Sequence, residues 1–273
     1  MGRTLLAGVG DRLRERRFFS GSRSWAYTAY DRALHRWKRL PWPARGRVCA
    51  VKVRGVETPV YARLGTSDFE VLSVLFVGGE YDRVLKGDLG EIRTVLDLGA
   101  NVGHTVRLWH SRLPGCRVVA VEPDAENLRV LRRNSAYPGQ ADAVVIEACA
   151  AGRARMVRLD RRGGGAWTYE MREKEGEGGE SIPALTVPQI LERGGVDGMV
   201  DLVKCNIEGA EVELMEHAKE WIGRVRHVVM DVHRPYDAEQ VLAHARAGDP
   251  SRRWSVEDCG GNSRRRMVLL KSE

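Results

Sequence analysis

The chain has 273 residues, 43% hydrophobic and 30% charged, values of a folded globular protein and enough for one sizeable α/β domain with an N-terminal appendage. It contains no run of about 18 apolar residues to span a membrane, and the apolar residues 5–9 fall far short of a secretory signal, so a cytoplasmic protein is expected. The formal charge of +7 lies at one end: twelve Arg or Lys against Asp11, Glu15 and Asp31 give residues 1–47 a charge of +9 and leave the rest near −2.

Residues 1–46 therefore read as a basic extension. Residues 1–22, with Arg12, Arg14, Arg16 and Arg17, are polar enough to be partly mobile. Trp25, Ala29, Ala33 and Trp37 then recur at helical spacing among Arg32, Arg36, Lys38 and Arg39, and Pro41 ends that helix. A basic aromatic helix suits an anionic membrane surface or a negatively charged substrate. The plainer expectation is that its aromatic stripe packs on the domain. Residues 47–273 are expected to be one domain, with a hairpin and lid over 47–90 and a core over 91–273. Alternation over 47–64 predicts the hairpin around Gly55. Thr66 or Ser67 can cap a helix with Phe69, Leu72, Val74 and Phe76 on its apolar face, ended by Gly78-Gly79.

The core opens with an apolar run at 94–98, a turn Gly99-Ala100-Asn101-Val102-Gly103, and helical spacing from His104 to Trp109. A second run, 117–121, ends at Glu122-Pro123-Asp124, where a second helix starts with Leu128 and Leu131 on its apolar face. Glycines at 99 and 103 allow a sharp turn and a close approach to a ligand, and Glu122 stands where a carboxylate accepts both ribose hydroxyls of an adenosine. The pattern G-x-N-x-G lacks the third glycine of a dinucleotide fingerprint, which disfavours a nicotinamide-dependent oxidoreductase. It resembles instead the first motif of class I S-adenosylmethionine-dependent methyltransferases, in which Asp97, Gly99, Asn101 and Gly103 would surround the methionine end. His104 and His110 are expected to be packing or helix-surface residues.

A third strand, 143–146, ends at Glu147-Ala148-Cys149, so Glu147 or the neighbouring backbone at Ala148 is a candidate adenine contact. Residues 156–159 read as an extra strand. Residues 161–181, rich in glycine and charge, read as a mobile substrate loop. A short helix is expected over 185–191, a fourth strand over 201–206, a helix through Leu214, Met215 and Trp221, a fifth strand over 227–232, a helix over 238–245, and two final strands near 254–256 and 267–270. This order predicts a Rossmann-like α/β fold with the seven-stranded sheet of class I methyltransferases. Five unpaired cysteines, at 49, 116, 149, 205 and 259, read as reduced residues.

The motif D-L-G-A-N-V-G, with D-L-V-K-C-N-I-E-G-A-E at 201–211 and T-S-D and G-E-Y at 66–68 and 79–81, resembles the FkbM family of methyltransferases over roughly residues 60–235. The resemblance implies O-methylation of hydroxyls on sugars, polyketides or other natural products. It adds Ser67, Asp68, Tyr81 and Asn206 to the expected cofactor contacts. The family usually shows K-I-D-V-E-G at the fourth strand, and Asn206 replaces its aspartate. If that aspartate served as base or metal ligand, another residue must act here, or the chain is a catalytically silent binding or scaffold protein.

Methyl transfer requires an acceptor oxygen aligned in line with a sulfonium methyl, and a base near its proton. His233, directly after the fifth strand, is the first candidate, with Glu208 and Asp231 as the others. A strand-end histidine can also merely orient a loop, and Glu208 can cap a helix or brace a loop. Asn206, Glu208, Asp231 and His233 could supply O and N ligands to a divalent metal, which is disfavoured because related metal-dependent sugar enzymes use sets richer in aspartate. Nucleic acid is disfavoured as acceptor: no N-P-P-Y-type motif is present, and the basic residues lie outside the catalytic core.

Overall fold

The structure is a computed structural model that describes residues 18–36, 44–136, 143–161, 169–173, 181–261 and 265–273. The basic residues Arg12, Arg14, Arg16 and Arg17 and the segment from Trp37 through Pro41 lie outside them. The chain divides into two compact units, residues 1–82 and 83–273, so the N-terminal helix and the hairpin belong together. Among the described residues, no helix is long and apolar enough to cross a membrane.

The first unit consists of helix α1 (Ser22–Arg36), an antiparallel hairpin of β1 (Val48–Val51) and β2 (Val60–Arg63), and helix α2 (Asp68–Phe76). The buried stripe of α1 is not the expected aromatic one. Ser24, Thr28, Asp31 and Leu34 are buried, whereas Trp25 is 42% exposed and Ala29 faces outward. Hydrogen bonds explain the reversal: the Lys52 amide donates to Ser24 Oγ at 2.9 Å, and the Gly65 amide donates to the Asp31 carboxylate at 2.6 Å. A polar face can be buried when each group finds a partner. In α2, Leu75 takes the buried position expected of Val74, which is 42% exposed.

The second unit is built on a seven-stranded sheet of β3 (Thr94–Leu98), β4 (Arg117–Glu122), β5 (Ala143–Glu147), β10 (Val200–Cys205), β11 (Val225–His233), β12 (Trp254–Gly261) and β13 (Arg265–Ser272). Its order is β12-β13-β11-β10-β3-β4-β5, parallel except for β13, which runs antiparallel to β11 and β12. This is the seven-stranded methyltransferase arrangement expected from the order of elements. The chain steps outward from β3 through β4 to β5, then returns to β10 on the other side of β3. The switch point therefore falls between β3 and β10, and their C-terminal ends meet there.

The central strands are apolar on both faces, as a sheet covered by helices requires. One face carries Leu96, Leu98, Val119, Val121, Val203 and Met230 in a single cluster with Ile190, Leu191, Leu214, Met215, Val241 and Trp254. These come from helices α6 (Val187–Arg193), α7 (Glu211–Glu216) and α8 (Ala238–Gly248) and from β12. Helix α4 (His104–Arg112) packs beside α5 (Ala125–Ser135), which starts where Asp124 Oδ1 accepts the Asn127 amide at 2.8 Å. His104 and His110 are packing residues, 1% and 3% exposed.

A second sheet was visible in the sequence only as the strand near 156–159. It has four strands, β6 (Cys149–Ala150), β9 (Ile182–Leu185), β7 (Arg155–Arg161) and β8 (Tyr169–Glu173), in that order. β8 falls within the segment expected to be a loop. It pairs antiparallel with β7, and this corrects the expectation of a continuous loop. Residues 162–168 and 174–180 lie outside the described residues. A short helix, α3 (Asp82–Lys86), also has no counterpart in the expected elements. The cysteines are free, four of them buried and Cys259 partly exposed.

Candidate functional site

The ends of β3 and β4 form one half of the rim. The turn after β3 lies so close to the fourth strand that a Cβ on Gly99 would stand 1.9 Å from the Asn206 carbonyl oxygen, and Gly99 has φ +76. Only glycine fits. Gly103 (φ +82) serves packing instead, since its Cβ would meet Leu131 Cδ1 at 2.6 Å. Both glycines thus let the chain approach itself closely. The amides of Gly99 and Ala100 donate to the Val121 carbonyl at 3.0 and 2.9 Å, which ties the turn to β4.

Glu122, 4% exposed, ends β4. Its carboxylate accepts from the Asn101 amide (2.9 Å), the Asp124 amide (3.0 Å) and Asn127 Nδ2 (3.0 Å). Burial pushes its pKa up to about 7, although these three donors pull the other way. Asn101 takes a left-handed backbone (φ 51), and its Oδ1 is buried with no hydrogen-bond partner among the described residues. Asp97 points beneath the turn and is fully buried. It lies 3.0 Å from Lys204 Nζ and accepts from Trp109 Nε1 at 3.3 Å. Lys204 also donates to the Leu98 and Gly99 carbonyls at 3.2 and 2.6 Å, so a buried ammonium on β10 holds the base of the glycine turn.

The ends of β10 and β11 form the other half. The Asn206 amide donates to the Leu98 carbonyl at 3.1 Å, and Asn206 Oδ1 is buried without a hydrogen-bond partner among the described residues. Glu208 follows in a left-handed conformation (φ 53). Such backbone costs on the order of 1–3 kcal/mol in a non-glycine residue and persists where the surroundings impose it. His233 ends β11 between two carboxylates: Nε2 lies 3.7 Å from Glu208, and Nδ1 lies 3.3 Å from Glu211. The Glu211 carboxylate beside Nδ1 holds the imidazole pKa above its ordinary value, against burial. Burial raises Glu208 as well. Asp231, 2% exposed, is paired with Arg265 of β13 at 3.2 Å. Of the three expected catalytic residues, His233 and Glu208 stand together at the rim, and Asp231 is engaged below them.

The remaining expected contacts are distributed as follows. Glu147 pairs in register with Glu122 on the neighbouring strand, but its carboxylate meets Arg132 of α5 at 3.1 Å. Ala148 is fully buried, and its amide donates to the Glu122 carbonyl at 3.3 Å. Ser67, Asp68 and Tyr81 belong to the first unit and are buried in it. Asp68 holds Arg63 through a bidentate ion pair at 2.8 and 2.9 Å.

Sequence reasoning missed Asn127, Lys204, Glu211 and Arg265. Lys204 carried a readable signal, a lone charge inside an apolar strand. Asn127 carried a weaker one, three residues after a capping Asp. Among the described residues, no group of three His, Cys, Asp or Glu is placed to hold a metal ion.

No curated protein matches the chain in sequence. Among solved structures, the chain is similar to a human methyltransferase 10 domain containing protein (14% identity, 70% of this chain and 78% of that one, TM-score 0.43). It is also similar to precorrin-6y C5,15-methyltransferase from Geobacter metallireducens (12%, 70% and 87%, TM-score 0.41). A third similar structure is Aeropyrum pernix fibrillarin in complex with S-adenosyl-L-methionine (12%, 67% and 67%, TM-score 0.40). The family model described as the methyltransferase FkbM domain matches residues 97–253, from the acid beneath the glycine turn to the start of the last hairpin. With that match over more than half its length, the chain belongs to the FkbM methyltransferase family.

Proposed function

We propose that this chain is an S-adenosylmethionine-dependent O-methyltransferase acting on a hydroxyl of a sugar or natural-product-like small molecule. The observation that carries the reading is the buried Glu122 carboxylate at the switch-point rim, beside the turn that begins at Gly99. The donor set fits the cofactor: one carboxylate for ribose hydroxyls, and two buried amide oxygens, on Asn101 and Asn206, whose hydrogen bonds the described protein does not complete. Asp97, Gly99 and Gly103 support this cradle from within, and Glu147 and Ala148 flank the adenine side.

S-adenosylmethionine supplies an electrophilic methyl on sulfur. The residues at the ends of β10 and β11 orient the acceptor and take its proton, with His233 Nε2 as the base and Glu208 beside it. The reading assigns no divalent metal and no nucleic acid to the site, and it places the protein in the cytoplasm. The exposed Trp25 on a basic helix supports contact with an anionic membrane surface. Asn206 in place of the family's aspartate favours a second reading, a silent binding protein with the same cradle.

Calorimetric titration with S-adenosylhomocysteine tests the first reading. Saturable binding is expected, weakened at least 100-fold in Glu122→Ala. No binding by the wild-type chain removes it. Binding without formation of S-adenosylhomocysteine from any hydroxylated acceptor supports the silent protein.

A further inference from the structure

Glu211 has no place in the assignment so far, although it is 1% exposed and opens α7 at the edge of the acceptor half. Its carboxylate accepts the Ile207 amide at 3.2 Å and the Gly209 amide at 2.8 Å, which fixes the loop that carries Glu208. The same carboxylate reaches across to β11, where Oε1 lies 3.3 Å from His233 Nδ1.

We propose that Glu211 is the positioning residue of the acceptor site: it keeps the imidazole proton of His233 on Nδ1, so that Nε2 presents its lone pair to the acceptor hydroxyl. Nδ1 is buried with the Glu211 carboxylate 3.3 Å away, and because an ionised carboxylate only accepts hydrogen bonds, that neighbour favours the proton on Nδ1. A neutral imidazole carries one such proton, and the other nitrogen is then the base. Nε2 is 3.7 Å from Glu208 Oε2, beyond hydrogen-bond reach, so the two do not satisfy each other. A hydroxyl oxygen about 2.8 Å from Nε2 would donate its proton there, with Glu208 flanking it. Among the described residues, the charges acting on the ring are Glu211 from α7, Glu208 from the loop and Asp231 from its own strand, and Asp231 in turn is paired with Arg265 of β13.

The proposal rests on the methyltransferase reading, and its test does not need the unknown acceptor. Long-range proton–nitrogen NMR of the full chain, above the titration of His233 and with His233→Gln to assign its signals, reports which ring nitrogen is protonated. The wild type is expected to show the proton on Nδ1. In Glu211→Gln the amide donates toward Nδ1, and the proton is expected to move to Nε2. Glu208→Gln is expected to leave it on Nδ1.

A wild-type proton on Nε2, an unchanged tautomer in folded Glu211→Gln, or a tautomer inverted by Glu208→Gln would each overturn the proposal. If Glu211→Gln does not fold, the wild-type and Glu208→Gln spectra decide. S-adenosylhomocysteine binding by the wild type is measured alongside: its absence sinks the methyltransferase reading, whereas binding with the wrong tautomer sinks only the role of Glu211.

Discussion

The two halves of the rim use acids in opposite ways. At the end of β4, Glu122 is held by two backbone amides and the Asn127 amide, with no cation among those partners. At the ends of β10 and β11, Glu208, Glu211 and His233 form charge-paired contacts, with the imidazole 27% exposed. Neutral donors fix geometry while leaving a carboxylate poorly compensated for burial, which suits a site that receives hydroxyl groups. Paired charges can share and pass a proton, which suits a site that removes one. On the proposed function, the difference would separate holding from reacting within a single strand-end row.

The seam between the halves offers the most drastic way to break this comparison. Gly99→Ala puts a methyl into the Asn206 carbonyl, so we expect loss of soluble protein or a Tm lowered by more than 10 °C, read by calorimetry. Lys204→Met leaves Asp97 buried without its cation, a loss of about 3–5 kcal/mol and roughly 10 °C in Tm.

A smaller effect sharpens the donor half. Ribose hydroxyls favour ionised Glu122, whose pKa stands at about 7, so S-adenosylhomocysteine should bind fully above that pH. Its affinity should fall toward tenfold per pH unit below, as a proton must first leave the carboxylate. Glu122→Gln should flatten this profile and His233→Gln should keep it; the reverse result would assign the proton to the wrong half. Asn127→Ala removes one of three donors and should weaken binding only about 3- to 10-fold in the same titration.

The strand ends were legible in the sequence because glycine, asparagine, histidine or an acid interrupts each apolar run where a parallel strand stops. Gly99, Glu122, Asn206 and His233 could be placed on one edge for that reason. Helix α1 was not legible in the same way. Its buried Ser24 and Asp31 depend on amides 28 and 34 residues away, and hydrophobic periodicity cannot register a polar face satisfied at such range. The small second sheet hid for other reasons: β6 has two residues, β9 contains Pro183, and the β8 sequence Tyr-Glu-Met-Arg-Glu reads as a charged loop. Glu211 was overlooked because its meaning lies in His233, which is distant in the chain and adjacent only in the fold.

Two positions on the rim would be more comfortable as glycine. At 101 and 208 the backbone turns into a region that side chains resist. A variant selected only to survive heating would accept glycine at either place. The chain instead carries an amide and a carboxylate there, and so gives up some hardiness for chemical groups at its working edge.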